Sequence, residues 1–258
     1  MNYTPAEIMT VGAARVLKDE DTCFVGIGLP SAACNLARLT HAAGITLIYE
    51  SGTLRTRPSI LPLSVGDGEL CQTALTTVSM PEMFRYWLQG GRITVGFLSG
   101  AQVDRFGNLN STVIGDYAKP TVRLPGGGGA PEIATSCGQI FVIMRQSLRS
   151  FVERVDFLTS LGHGRTGRER NAQGLKSKGP TLLVSDLCIM ASDPMTKEFV
   201  VESLHPGVTR ERVRENTGWE IRFADDLQET TPPTLAELEA LRELNARTAA
   251  AHGVAAAE

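Results

Sequence analysis

Three stretches of this chain carry residue types and spacings that could do chemistry. In the first, the apolar run Ile45-Thr-Leu-Ile-Tyr49 ends in the carboxylate of Glu50, followed by Ser51 and Gly52. A carboxylate is a poor nucleophile in water, where hydration stabilises its charge, yet in a closed site it can attack an electrophilic carbon. The second is Val25-Gly-Ile-Gly-Leu-Pro30, a glycine-rich turn from a strand into a helix. The third is Gly126-Gly-Gly-Gly-Ala130, where main-chain N–H groups can approach a ligand closely. In open parallel α/β sheets, ligands gather at the carboxyl ends of strands, so these segments could meet in one crevice.

Each stretch has a plainer reading. Glu50 could simply pair with Arg55 or Arg57, and the four glycines could form a surface loop. The Gly26–Pro30 turn looks like a dinucleotide loop, with Glu50 roughly where a ribose-binding acid would stand, but G-x-G-x-x-G is incomplete. Asn108, Asn110 and Ser111 suit side-chain-to-backbone bonds that fix a loop. Arg165, Arg168 and Arg170 read as a solvated basic loop or as contacts for a phosphate. The histidines at 41, 163, 205 and 252 have no nucleophile signature beside them.

The elements that must hold these residues alternate. Thr4-Pro-Ala-Glu7 offers a capping box and predicts a helix to about Lys18. A strand over 22–25, a helix over 30–39 and a strand over 45–49 make a right-handed β-α-β unit. A helix over 81–89 and strands over 93–98, 140–144, 181–184 and 199–202 continue the pattern, which favours a sheet covered by helices. Residues 54–68 and 107–131 are too rich in glycine, proline and polar residues for regular elements. Pro232-Pro233 is a stop, and Thr234-Leu-Ala-Glu237 starts a further helix whose leucines at 235, 238, 241 and 244 suggest docking. The expected organisation is one domain over 1–230 and a C-terminal helix with a frayed tail over 231–258.

With 258 residues, 42% of them hydrophobic and 21% charged, the composition is that of a globular protein, and a net charge of −3 argues against a nucleic-acid surface. No apolar stretch approaches the roughly 20 residues needed to span a bilayer, and the N-terminus lacks a basic segment before a hydrophobic one, so a cytoplasmic protein is expected. The five cysteines form no metal-binding or CxxC spacing and read as reduced, buried thiols.

Gly26-Ile-Gly-Leu-Pro30, Glu50-Ser-Gly52, Gly100-Ala-Gln-Val-Asp104, Phe106-Gly-Asn-Leu-Asn-Ser-Thr-Val-Ile-Gly-Asp-Tyr117 and Gly126-Gly-Gly-Gly-Ala130 resemble, in order and spacing, the β subunit of glutaconate-type class I CoA-transferases. The resemblance continues through Phe157-Leu-Thr-Ser160, Gly167-Arg-Glu-Arg170 and Glu215-Asn-Thr-Gly218. It implies an open, mostly parallel α/β sheet covered by helices, with a C-terminal helical arm. It also implies that Glu50 attacks an acyl-CoA to give a mixed anhydride, which the CoA thiolate converts to a glutamyl-CoA thioester. An acceptor carboxylate then reverses these steps. CoA is thus substrate and covalent intermediate, and no metal or redox cofactor is needed.

By the same resemblance Gly128 and Gly129 are oxyanion or CoA-contact donors, while Gly26, Gly28, Ser51, Gly52 and Asn108 support the site. Gly127 and Pro131 depart from the related subunits. The implied partner is a CoA-transferase α subunit in an α2β2 or larger assembly, and the implied substrates are acyl-CoA and small carboxylates or dicarboxylates. Relatives that hydrolyse or decarboxylate acyl-CoA compounds, and acyl-CoA binding without turnover, stand as alternatives. The retained Glu50 favours transfer.

Overall fold

The structure, a computed structural model, describes residues 2–253. It divides into two compact units, one made of residues up to Phe97 together with those from Pro232, the other of Leu98–Thr231.

In the first unit, α1 (Pro5–Arg15) begins at a capping box in which Thr4 accepts from the Glu7 N–H and Glu7 accepts from the Thr4 N–H. There follow β1 (Thr22–Phe24), α2 (Leu29–Thr40), β2 (Thr46–Ile48), β3 (Thr53–Leu54), α3 (Gly68–Gln72), β4 (Thr76–Thr77), α4 (Met80–Glu82) and β5 (Val95–Leu98). β1 lies between β2 and β5 and runs parallel to both, whereas β2, β3 and β4 pair antiparallel. The helix expected over 81–89 is mostly a π-helical turn, Met83–Leu88, closed by the Gln89 N–H on the Phe84 carbonyl. The wider turn lets Met83 and Leu88, five residues apart, both be buried.

The second unit contains β6 (Gln102–Val103), β7 (Leu109–Asn110), β8 (Val113–Gly115), β9 (Pro120–Arg123), α5 (Ala130–Ser136), β10 (Gln139–Ile143), α6 (Glu169–Ala172), β11 (Pro180–Val184), β12 (Cys188–Ser192), β13 (Phe199–Leu204), α7 (Arg210–Glu215) and β14 (Arg222–Glu229). Its larger set runs β10-β11-β12-β13-β14, with parallel pairs at β10–β11 and β13–β14 and antiparallel pairs between. Residues 107–131, expected to lack regular elements, contribute to two short antiparallel ladders, β6–β7 and β8–β9. The expected alternation also omitted β12 and β14. β14 is an edge strand whose Asp225, Asp226 and Glu229 face solvent, so it carries no apolar alternation.

The chain then returns to the first unit through α8 (Leu235–His252), which again starts at a capping box, Thr234 with Glu237. Leu238, Leu241 and Leu244 are buried, and the helix packs on α1 and α2. Each capping glutamate is used twice: Glu7 also pairs with Arg242 at 2.6 Å, and Glu237 with Arg15 at 2.7 Å. The Arg15 fork and the Thr234 bonds outweigh partial burial and hold the Glu237 carboxyl down at about 2. Residues 235–252, read from sequence as a trailing arm, are therefore packed into the first unit. The sequence suggests fraying after Thr248, but the helix continues to His252 and is capped at Gly253; residues 254–258 lie outside the described residues.

The result is the open, mostly parallel α/β fold covered by helices, with a C-terminal helix. No helix among the described residues is long and apolar enough to cross a membrane. Cys23, Cys34, Cys137 and Cys188 are buried as expected, but Cys71 is exposed.

Candidate active site

Glu50 sits at the carboxyl end of β2, in the three-residue hairpin loop Glu50-Ser51-Gly52 that reverses the chain into β3. The Gly52 N–H donates to the Tyr49 carbonyl at 3.0 Å and the Tyr49 N–H to the Thr53 carbonyl at 3.2 Å. A loop of this length needs a left-handed residue at its end, and Gly52 supplies φ +100°. A side chain there would also collide with β4's approach, since a Cβ would lie 2.0 Å from the Val78 carbonyl oxygen. The sequence thus has one residue that can close this turn, and the turn presents Glu50 and Ser51.

Among the described residues Glu50 makes no hydrogen bond or ion pair, and it is half-buried. The pairing with Arg55 or Arg57 is not found; Arg57 instead donates to the Ala43 carbonyl at 3.3 Å. Two hydroxyls beside Glu50, Ser51 Oγ and Thr53 Oγ1, are buried without a hydrogen-bond partner among the described residues. β1 and β2 are in register at Phe24 and Ile48, so Gly26 and Glu50 each stand two residues past the paired ends, at the same edge of the sheet. Gly28, with φ +79°, is the N-cap of α2 and offers no side chain to its first turn. That leaves N–H groups of a twelve-residue helix open toward the edge that carries Glu50.

The hairpin is held by a buried polar chain that sequence reasoning missed. The Tyr49 hydroxyl meets Ser31 Oγ at 2.7 Å, Asn35 donates to the Ser31 carbonyl at 2.9 Å, and Arg38 donates to Asn35 and to the Pro58 carbonyl. Burial raises the Tyr49 phenol well above its usual range, so it stays a neutral hydrogen-bonding group. The only sequence signal was a tyrosine ending an apolar strand and a Ser-Asn pair four residues apart on a helix.

Asn108, Gly128 and Gly129 lie in the second unit. Asn108 is fully engaged: its amide donates to both Asp104 oxygens and to the Gly164 carbonyl, and its oxygen accepts from the Gly162 and Gly164 N–H groups. Asp104 also accepts from the Phe106 and Asn108 N–H groups. Burial still prevails over these bonds and pushes its carboxyl up to about 6. Asp104 and Asn108 are both visible in the motifs Gly100–Asp104 and Phe106–Tyr117, but the bonds between them are not.

The four-glycine loop is anchored at its start, where the Gly126 N–H donates to the Ser111 carbonyl at 2.8 Å and Ser111 Oγ donates to the Gly126 carbonyl at 2.9 Å. Gly128 has φ +48° and open space where a Cβ would stand, and Gly129 caps α5 without a side chain. α5 is in turn fastened by Arg170. This arginine, read with Arg165 and Arg168 as a basic loop, is 2% exposed and donates to the carbonyls of Ala134, Leu161 and Gly162 and to Ser177 Oγ. Burial lowers its pKa to about 10, so it remains a cation solvated by the main chain. Arg165 and Arg168 are exposed.

A family model described as coenzyme A transferase matches residues 6–216. The chain belongs to the coenzyme A transferase family. Among its members, the chain is 62% identical to the B subunit of 3-oxoadipate CoA-transferase from Pseudomonas knackmussii, over 97% of this chain and 96% of the relative. It is 35% identical to the B subunit of glutaconate CoA-transferase from Acidaminococcus fermentans, over 90% and 88%. The solved glutaconate coenzyme A-transferase of that organism superposes with a TM-score of 0.88 and 32% identity, covering 94% of each chain. Family and fold therefore agree with the resemblance read from the motifs. The substrate named for the 62% relative differs from the glutaconate that the motifs suggested.

Proposed function

We propose that this chain is the β-type subunit of a heteromeric CoA-transferase in which Glu50 is the nucleophile. The observation that carries the reading is a carboxylate at the carboxyl end of a parallel strand, presented by a glycine-closed turn and left without a cationic partner among the described residues. A carboxylate held by an arginine would have its charge spent; this one is free to attack. Its attack on the acyl-CoA carbonyl expels CoA as thiolate and leaves a mixed anhydride. Return of the thiolate to the Glu50 carbonyl carbon expels the acyl carboxylate and leaves a glutamyl-CoA thioester. The acceptor carboxylate then runs the sequence in reverse, so energy stored in the thioester is conserved. In the second unit the N–H groups of Gly128 and Gly129 are donors for CoA or for an oxyanion, and Asn108 fixes the backbone of that unit; in the first unit Gly26, Gly28, Ser51 and Gly52 shape the backbone that presents Glu50.

The 62% relative favours 3-oxoadipate over glutaconate as the carboxylate partner. Both are dicarboxylates, but 3-oxoadipate is one carbon longer and carries a ketone, a difference that pocket contacts can discriminate. The subunit names of both relatives support a second subunit as partner; the proposed assembly with that α subunit is α2β2 or larger and cytoplasmic. The test is transfer by the complex co-purified with its partner subunit, using a panel of acyl-CoA donors and either acid as acceptor. We expect 3-oxoadipate to exceed glutaconate in kcat/KM by roughly tenfold or more, and the isolated chain to be inactive. A preference for glutaconate would overturn the substrate assignment, and turnover by the isolated chain would overturn the need for a partner.

A further inference from the structure

We propose that the Ser51 hydroxyl is a catalytic hydrogen-bond donor to the oxyanion that forms on the carboxyl carbon of Glu50. The inference rests on the nucleophile reading of Glu50 and goes beyond it by assigning the donor for the steps in which Glu50 itself is attacked.

Three buried side-chain polar atoms have no hydrogen-bond partner among the described residues: Ser51 Oγ, Thr53 Oγ1 and Trp219 Nε1. Trp219 lies in the second unit, stacked on Phe151. The other two lie within three residues of Glu50, on either side of Gly52 in one hairpin. A buried hydroxyl without a partner destabilises the folded chain, because it has given up water and gained nothing. Elsewhere the first unit satisfies its buried hydroxyls: Ser31 meets Tyr49, and Thr56 meets Thr73 and the Leu70 carbonyl. The exceptions therefore mark where a partner arrives from outside the fold. Of the two, Ser51 is in the loop and is the covalent neighbour of Glu50, whereas Thr53 is already in β3.

The chemistry supplies that partner. When the CoA thiolate attacks Cδ of the Glu50 anhydride, a C–S bond forms and the carbonyl electron pair moves onto the Glu50 oxygen. The tetrahedral species collapses when the carbonyl re-forms and the Cδ–O bond to the acyl group breaks, releasing the acyl carboxylate with its electron pair. The same oxyanion appears when the acceptor carboxylate attacks the glutamyl-CoA thioester. Ser51 donates to it through both steps and keeps its proton. A donor fixed in place by the fold costs no reorganisation as the charge develops, which is why such groups act on kcat.

The experiment is Ser51→Ala in the complex with its partner subunit, read by steady-state transfer, by the single-turnover rate of CoA adduct formation at Glu50 followed by intact mass, and by thermal midpoint. The expected result is kcat lowered about 100-fold, KM for acyl-CoA unchanged, slower adduct formation, and a thermal midpoint equal to or above that of the wild type. Adduct formation at the wild-type rate would overturn the proposal while leaving Glu50 as nucleophile. A lowered midpoint accompanying the loss of rate would assign Ser51 a structural role and overturn it as well. Absence of any adduct in the wild-type complex would remove the nucleophile reading and this proposal together.

Discussion

The hairpin at Glu50 and the loop cluster around Asn108 treat buried polar groups in opposite ways. Around Asn108 every donor and acceptor has its match: amide to carboxylate, amide to carbonyl, guanidinium to three carbonyls and a hydroxyl. At the hairpin the backbone is as firmly fixed, by Gly52, the Tyr49–Ser31 bond and the β3–β4 pairing, yet Glu50, Ser51 and Thr53 keep side-chain groups unmatched among the described residues. Satisfied networks hold a shape, and their energy is spent in the folded state. Unsatisfied groups on a rigid support have interactions still to make, and those are the ones a reaction can use. Position in the fold alone would not separate the two regions, since both follow from motif residues of the same family.

The comparison breaks first at Glu50. Glu50→Gln should lower transfer on the order of 10⁴-fold or more and leave the thermal midpoint of the complex unchanged, because no partner of Glu50 is lost. A fall in stability would place Glu50 with the structural groups. Next comes Asn108→Ala, which strands the Gly162 N–H, the Gly164 carbonyl and Oδ2 of Asp104 inside the second unit, while Asp104 Oδ1 keeps its two main-chain donors. Unfolding in urea should show a loss of roughly 3 kcal/mol or more, with any fall in activity tracking the folded fraction. Retained stability with lost activity would reverse the assignment.

The smallest effect concerns Asp104. Its folded carboxyl titrates at about 6 against an ordinary 3.8, so between those values the native state holds the proton more tightly than the unfolded chain. Its contribution to stability is therefore full at low pH and declines as pH rises from about 4 to about 6, by at most ~1.4 kcal/mol per pH unit. Glu237, held down at about 2, works the other way and costs stability only as pH falls below about 4. Urea unfolding of wild type and Asp104→Asn at several pH values separates the two: the difference between the proteins should change across the upper window and be flat below it. A difference that is flat across the upper window would mean that the hydrogen bonds to Asp104, not its burial, set its pKa.

Much of this arrangement is legible in the residues alone. The β1–α2–β2 unit follows from two apolar runs around a glycine-proline turn, and α1 and α8 follow from capping boxes, because those signals are local. The ladders of 102–123, built from strands of two to four residues, are not legible, since so short a strand leaves little alternation to read, and β14 is hidden by the charge that suits an exposed edge. At the candidate site Glu50 and Gly52 can be named from their motif. Ser31 under Tyr49, eighteen positions away, cannot, nor can the burial of Arg170, three of whose partners are carbonyls that every residue possesses. The missing partners of Ser51 and Thr53 are likewise a property of packing alone.

The most direct test of Glu50 as the nucleophile is to expose the co-purified complex to acyl-CoA donors, trap with borohydride, and determine the intact mass and peptide map of this chain. A CoA-dependent modification mapped to Glu50, and absent from Glu50→Gln, is the predicted result. Consumption of acyl-CoA with no modification at Glu50 under any trapping condition would contradict it.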